Sequence, residues 1–237
     1  MIQQLKHDIF YLFYNRKYRL LILLTILLTA GLSLYTAVNA NAGEDILIQV
    51  FGSFRQMYWI ICAYLIADLL STDYHSQTIK NIIPKLSSRN HYYLSKIIVA
   101  ALLGIVILLI HVVTSWLTIG SLAAGIELNY FNISYFLCGA ILSLLFYSSM
   151  LAFVIAISRK ETVTIGVALG LILLQALMEG LDPVVSAHFP TMYVSTLHDL
   201  VSANLLTGII SISCYLIFTF LLFIGTIKIF SKQDLFT

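Results

Sequence analysis

Few residues in this chain could do chemistry, and they are thinly spread. Glu179, Asp182, His188, His198 and Asp199 gather in one stretch. Carboxylates and imidazoles together raise the idea of zinc, but their spacing follows no known ligand pattern. Asp68 and Glu179 are the carboxylates nearest membrane depth, and the topology predicted below places them near opposite faces, so a paired-carboxylate protease is not expected. No GxxxxGK[ST] loop is present, which predicts that the chain does not hydrolyse nucleotide by itself. HExxH and GxSxG are absent as well. The remaining candidates are polar groups at membrane depth. Arg55, Glu179, Asp182, His111 and Gln175 are candidates for gate or substrate contacts. Arg55 either snorkels to the outer headgroups or pairs with Glu44, Asp45, Glu179 or a substrate, and both readings stand. His111 and Gln175 lie deepest, where a polar group needs a partner, so both are expected to hydrogen-bond within the bundle.

The elements that must position these residues are membrane spans. The 237 residues are 60% hydrophobic and 10% charged, with mean hydropathy +0.95. Soluble domains carry about 25% charged residues, so the bilayer is the expected solvent. Six apolar stretches are long enough to cross it: Leu20–Val38, Phe51–Leu70, Ile97–Gly120, Ile133–Ile157, Val163–Leu181 and Thr207–Phe230. Lys and Arg fall almost entirely in alternate gaps. Lys6, Arg16, Lys17 and Arg19 precede the first stretch. Lys80, Lys85, Arg89 and Lys96 separate the second and third, Arg159 and Lys160 the fourth and fifth, and Lys228 and Lys232 end the last. The other gaps hold Glu44, Asp45, Glu127, Asp182 and Asp199 and no Lys or Arg. Basic loops stay in the cytoplasm, so a multi-pass protein of the cell membrane with both termini cytoplasmic is predicted. The net charge of +2 is too small to imply nucleic acid as a partner, and the basic residues suit topology and anionic lipid. The first span is not expected to be a signal peptide, because a basic amphipathic segment precedes it.

Residues 1–19 read as an interfacial helix. Ile2, Leu5, Ile9, Leu12 and Phe13 recur at helical spacing, with Gln4, His7, Asp8, Tyr11 and Asn15 on the other side. In the gap 71–96, Ile79, Ile82, Ile83 and Leu86 follow i, i+3, i+4, i+7 spacing, and Pro84 ends the helix they imply. Ser87 or Ser88 caps the next helix, which runs through Tyr92, Tyr93 and Lys96 into the third span. The outer segment 182–206 lacks Lys and Arg yet keeps Val184, Phe189, Met192, Tyr193 and Leu197, and Pro183 and Pro190 break it. It suits short helices dipping into the outer leaflet, where irregular backbone must be covered by protein or water. Small residues such as Gly104, Ser115, Ser143, Ser148, Ser149, Gly166 and Gly170 punctuate spans three to five. They either let helices approach closely or line a conduit. Cys62, Cys138 and Cys214 are expected to be small packing residues.

An interfacial helix, two spans, a structured cytoplasmic helix, three spans, an apolar outer segment and a last span resemble the membrane (permease) subunit of a type-2 ATP-binding-cassette exporter. The local likeness is carried by Asp73-Tyr74, Thr78-Ile79-Lys80, Ser88-Arg89, Tyr92-Tyr93 and Lys96, with Gln77 standing where Gly is common. The resemblance implies an all-α membrane protein forming a single transmembrane permease domain over 1–237. It has six transmembrane helices, an N-terminal interfacial helix, a cytoplasmic coupling helix between spans two and three, and an outer re-entrant segment between spans five and six. It implies that Tyr74, Thr78, Ile79, Lys80, Ile82, Ile83 and Leu86 couple the chain to a cytoplasmic ABC ATPase. That ATPase, not this chain, would bind ATP and Mg. The apolar stripe agrees with this, because an exposed one in the cytoplasm needs a cover; packing on the membrane or on the chain's own bundle is the other reading. A second permease copy, identical or not, is also implied. Compact permeases of this kind resemble lantibiotic-immunity and amphipathic-peptide export subunits, which confer resistance to antimicrobial peptides. The leading expectation is therefore ATP-driven export of an amphipathic or hydrophobic substrate, such as a peptide. The alternatives are a non-transporting sensor or immunity protein that sequesters a peptide, and an intramembrane enzyme, which lacks catalytic residues.

Overall fold

The computed structural model describes residues 2–39, 46–75, 89–122, 130–181, 201 and 204–232. Among them are seven helices and no strand: α1 (Ile2–Tyr14), α2 (Arg16–Asn39), α3 (Ile46–His75), α4 (Arg89–Leu122), α5 (Tyr130–Ser158), α6 (Glu161–Leu181) and α7 (Leu205–Lys232). Each of the six apolar stretches lies inside one of α2 to α7. Five of these helices are long and apolar enough to cross a membrane, over Arg16–Asn39, Val50–Thr72, Tyr92–Ser121, Leu137–Ser158 and Leu205–Phe230. The sixth, α6, carries a shorter apolar run, Glu161–Leu177. Of residues 182–206, expected to form a segment on the outer side, positions 182–200, 202 and 203 lie outside the described residues.

Local chemistry sets the breaks. Asn15 separates α1 from α2: its backbone N–H donates to the Tyr11 carbonyl at 3.0 Å, and its side-chain oxygen accepts the Lys17 N–H at 3.0 Å. That is an N-cap, which satisfies an otherwise orphaned amide of α2. Between α5 and α6 the chain turns on Arg159, a non-glycine residue in the left-handed region (φ 55°). Its N–H donates to the Ile155 carbonyl at 2.9 Å, so it ends α5 in the way glycine commonly does. So short a turn makes α5 and α6 antiparallel neighbours.

The bundle is centred on α3 and α5, whose apolar windows are 65% and 67% buried, against 17% for α2 and for α7. α3 touches α2, α4, α5 and α6, while α5 touches α3, α4, α6 and α7. The outer helices invert the pattern of a soluble protein. The buried residues of α2 are Tyr18, Thr25, Thr29 and Ser33, and its leucines Leu20, Leu23, Leu27 and Leu34 are exposed. Lipid is as apolar as leucine, so burying leucine brings little there, and polar or small side chains take the helix contacts. Gly104 of α4 meets this need directly, because a Cβ added there would overlap the Leu144 side chain of α5. From α3, the Tyr58 hydroxyl donates to the Gly104 carbonyl at 3.1 Å.

Three expectations change. Asp8, placed on the polar face of the first helix, is buried, while Phe10 and Tyr14 are exposed. Among the cysteines Cys62 is packed inside, but Cys138 and Cys214 are exposed. The small residues of α4 and α5 are mostly buried, including Ser115, Ser143, Ser148 and Ser149, whereas Gly166 and Gly170 of α6 face open space.

Candidate functional site

The polar side chains fall into two layers. The first lies at the base of α2, α3 and α4. Asp68 of α3 is buried and accepts the Tyr18 hydroxyl at 2.6 Å through Oδ2 and Lys17 Nζ at 3.4 Å through Oδ1. Ser71 and Thr72 donate back to the Asp68 carbonyl. On α4, Lys96 Nζ reaches Asp8 Oδ1 of α1 at 3.0 Å, with side chains only 4% and 3% exposed. The same ammonium lies 5.6 Å from the centre of the Tyr92 ring. Tyr92 and Tyr93 pack in turn on Phe230, near the end of α7. A charge taken out of water is costly unless it is paired with good geometry, and here the pairing is made by α1 folding onto α4.

The second layer lies within the spans and joins neutral groups across helices. Thr29 Oγ1 of α2 and His111 Nδ1 of α4 are 3.0 Å apart, and the imidazole stacks on Phe54 of α3 with centroids 4.3 Å apart. Tyr147 of α5 donates to Gln175 Oε1 of α6, and its ring stacks on Trp59 of α3 at 4.9 Å. These bonds join α2 to α4 and α5 to α6, and the ring stacks tie both pairs to α3.

The candidate residues are thus dispersed. His111 and Gln175 are buried and face neighbouring helices. Arg55 lies on α3, half-buried. Tyr74 is in the last turns of α3 and Glu179 near the end of α6. Asp182 and the stripe Thr78, Ile79, Lys80, Ile82, Ile83 and Leu86 lie outside the described residues. Their flanks are described: α3 runs through Tyr74 to His75, and α4 starts at Arg89 and carries Tyr92, Tyr93 and Lys96. Sequence reasoning missed the Asp8–Lys96 and Tyr18–Asp68 contacts. A signal was available, since Asp8 and Asp68 are acids among basic residues at a bilayer edge and each needs a cation or donor.

Among the described residues, apolar grooves score the outside of the bundle, two of which stand out. One of about 330 Å³ lies between α2, α3 and α6, lined by Leu24, Leu28, Met57, Ile60 and Leu169 among others. The other, of about 410 Å³, lies between α4, α5 and α7, with Ile98, Leu102, Leu145, Phe220 and Phe223 on its walls. Both are almost wholly apolar. Among the described residues no three His, Cys, Asp or Glu side chains are placed to share a metal ion.

Apolar helices of this length, joined by internal polar bonds, define a multi-pass membrane protein. The family model described as ABC-2 family transporter protein matches residues 10–176, more than half of the chain, and the chain belongs to that family. It is the membrane component of a transporter, of a class that works with an ATPase subunit. No curated protein matches the chain.

Proposed function

We propose that this chain is the transmembrane subunit of an ATP-driven exporter. It moves an amphipathic or hydrophobic substrate, of which a peptide is the leading case, from the inner leaflet or cytoplasm outward. Membership of the ABC-2 transporter family over residues 10–176 carries this reading. The chain crosses the membrane six times with both termini in the cytoplasm, α6 serving as the fifth span. At 21 residues that helix is about 31 Å long, close to the hydrocarbon thickness of about 30 Å. ATP and Mg are bound by a separate ATPase, which docks on the segment 74–86 through the Ile79, Ile82, Ile83 and Leu86 stripe. The greasy walls of both grooves favour a substrate that is itself largely apolar. Two copies of the permease are needed, because so compact a bundle encloses little space alone. Gly166 and Gly170, four apart on an open face of α6, suit the close approach of another helix. Arg55, Glu179 and Asp182 are placed by this topology toward the outer side, where a gate or substrate contact would lie.

Co-expression with the ATPase tests the docking. The wild-type chain is expected to co-purify with it, and Ile79→Asp with Ile82→Asp is expected to abolish both co-purification and transport. Unchanged assembly and transport in that variant would refute the docking role. Protection that persists after loss of the ATPase's catalytic carboxylate would mean peptide sequestration instead of pumping. Cysteine labelling checks the topology: position 80 should react from the cytoplasm and position 127 from outside.

A further inference from the structure

The segment 76–88 connects the end of α3 to the start of α4 in the chain. Both of its roots are gripped by the N-terminal elements. Asp68 lies about two helical turns before the end of α3, and Lys96 about two turns after the start of α4. Asp68 is held by Lys17 and Tyr18 at the start of α2, and Lys96 by Asp8 of α1. Asn15, between them, caps α2 and sets the bend that brings α1 across α4. The two grips therefore close a loop: α3 to α2, α2 through Asn15 to α1, and α1 to α4.

The grips differ from the other contacts between helices in being charged. The Asp8–Lys96 pair is almost fully buried, and a buried ion pair is seldom more stabilising than apolar side chains of equal volume. What such a pair supplies is direction. A charged hydrogen bond is short and oriented, and it is lost outright when its partners slide by an ångström or two, whereas aliphatic contacts re-form after sliding. Phe230 packs against Tyr92 and Tyr93 from α7, so the α4 root is held on a second side as well.

We propose that α1 is a brace for the coupling segment, and that the Asp8–Lys96 and Tyr18–Asp68 contacts lock both roots of residues 76–88 to α1 and α2. A push on the segment then moves α2, α3 and α4 together instead of bending their ends. Asp8, Lys96, Tyr18 and Asp68 are positioning residues: they touch neither nucleotide nor cargo and act by keeping the stems rigid. This inference rests on the docking of the ATPase at 74–86.

The test uses the permease co-expressed with its ATPase and purified as the complex, with ATP turnover read per assembled complex. Asp8→Leu with Lys96→Met replaces the pair by apolar side chains. It is expected to assemble at wild-type yield, with kcat for ATP lowered at least about fivefold, the lower end of common coupling factors, and KM for ATP unchanged. Asp8→Lys with Lys96→Asp, which restores the pair in reverse, is expected to recover at least half of the lost kcat. A merely structural role would lower yield and leave kcat per complex alone. Full kcat in the apolar variant would overturn the brace, and so would equal loss in the reversed one. Should the apolar variant fail to reach the membrane, Tyr18→Phe removes a single hydroxyl and is expected to lower kcat in the same direction, and unchanged kcat there counts against the brace. Failure of the docking itself looks different: Ile79→Asp with Ile82→Asp would then leave assembly and turnover at wild-type levels.

Discussion

At the base of α2, α3 and α4 the polar contacts are charged and join distant parts of the chain, as in Asp8–Lys96 and Lys17–Asp68. Deeper in the same bundle, Thr29–His111 and Tyr147–Gln175 join neutral groups. Thr25, Thr36, Ser143, Thr219 and Thr226 go further and donate to carbonyls of their own helices. The gradient follows the price of desolvation. An ionised side chain at the bilayer centre is costly, while near the interface water and headgroups lower that cost. The contrast also divides the work. Neutral bonds between adjacent helices hold the spans together, whereas the charged pairs reach across from α1 and α2 to the end of α3 and the start of α4.

The two layers should respond differently to substitution. The largest effect is expected for Lys96→Met alone, which removes the ammonium 3.0 Å from the buried Asp8 carboxylate. Breaking one partner of a buried pair costs about 3–5 kcal/mol. The apparent Tm of the purified chain should drop accordingly, and adding Asp8→Leu should restore most of it. If Lys96→Met were as stable as the wild type, the charged layer would have no special standing. Next comes Gly104→Val in the middle of the bundle, where the obstacle is the Leu144 side chain. Overpacking of this kind costs about 1–3 kcal/mol, and pairing it with Leu144→Ala should relieve the strain, as a double-mutant cycle would measure. The smallest effect belongs to the neutral layer. Thr29→Val removes the hydroxyl that faces His111, and hydrogen bonds between membrane helices average about 0.6 kcal/mol. A loss as large as that of Lys96→Met would erase the distinction between the layers.

The spans were legible because hydropathy is local: each apolar stretch from Leu20–Val38 to Thr207–Phe230 sits within one helix. The break near Asn15 was less visible, since an asparagine between two apolar-periodic runs is an ordinary helix position until its side chain is seen to cap Lys17. The face of the first helix was misjudged at Asp8 for a related reason. Periodicity sorts residues into apolar and polar sides, and it has no means of recognising that a charge will be neutralised by a lysine 88 positions away. The deep pair His111 and Gln175 could be expected to find partners, but the partners, Thr29 and Tyr147, depended on which helices became neighbours.

Composition and charge pattern alone therefore determined that the chain lives in a bilayer and where its helices lie, because the cost of placing a side chain in hydrocarbon is set residue by residue. Packing decided that α3 and α5 form the centre, that Gly104 lets α4 close on α5, and that Asp8 and Lys96 meet. Those outcomes depend on distances between segments far apart in the chain, and a contact energy exists only once the helices have been brought together.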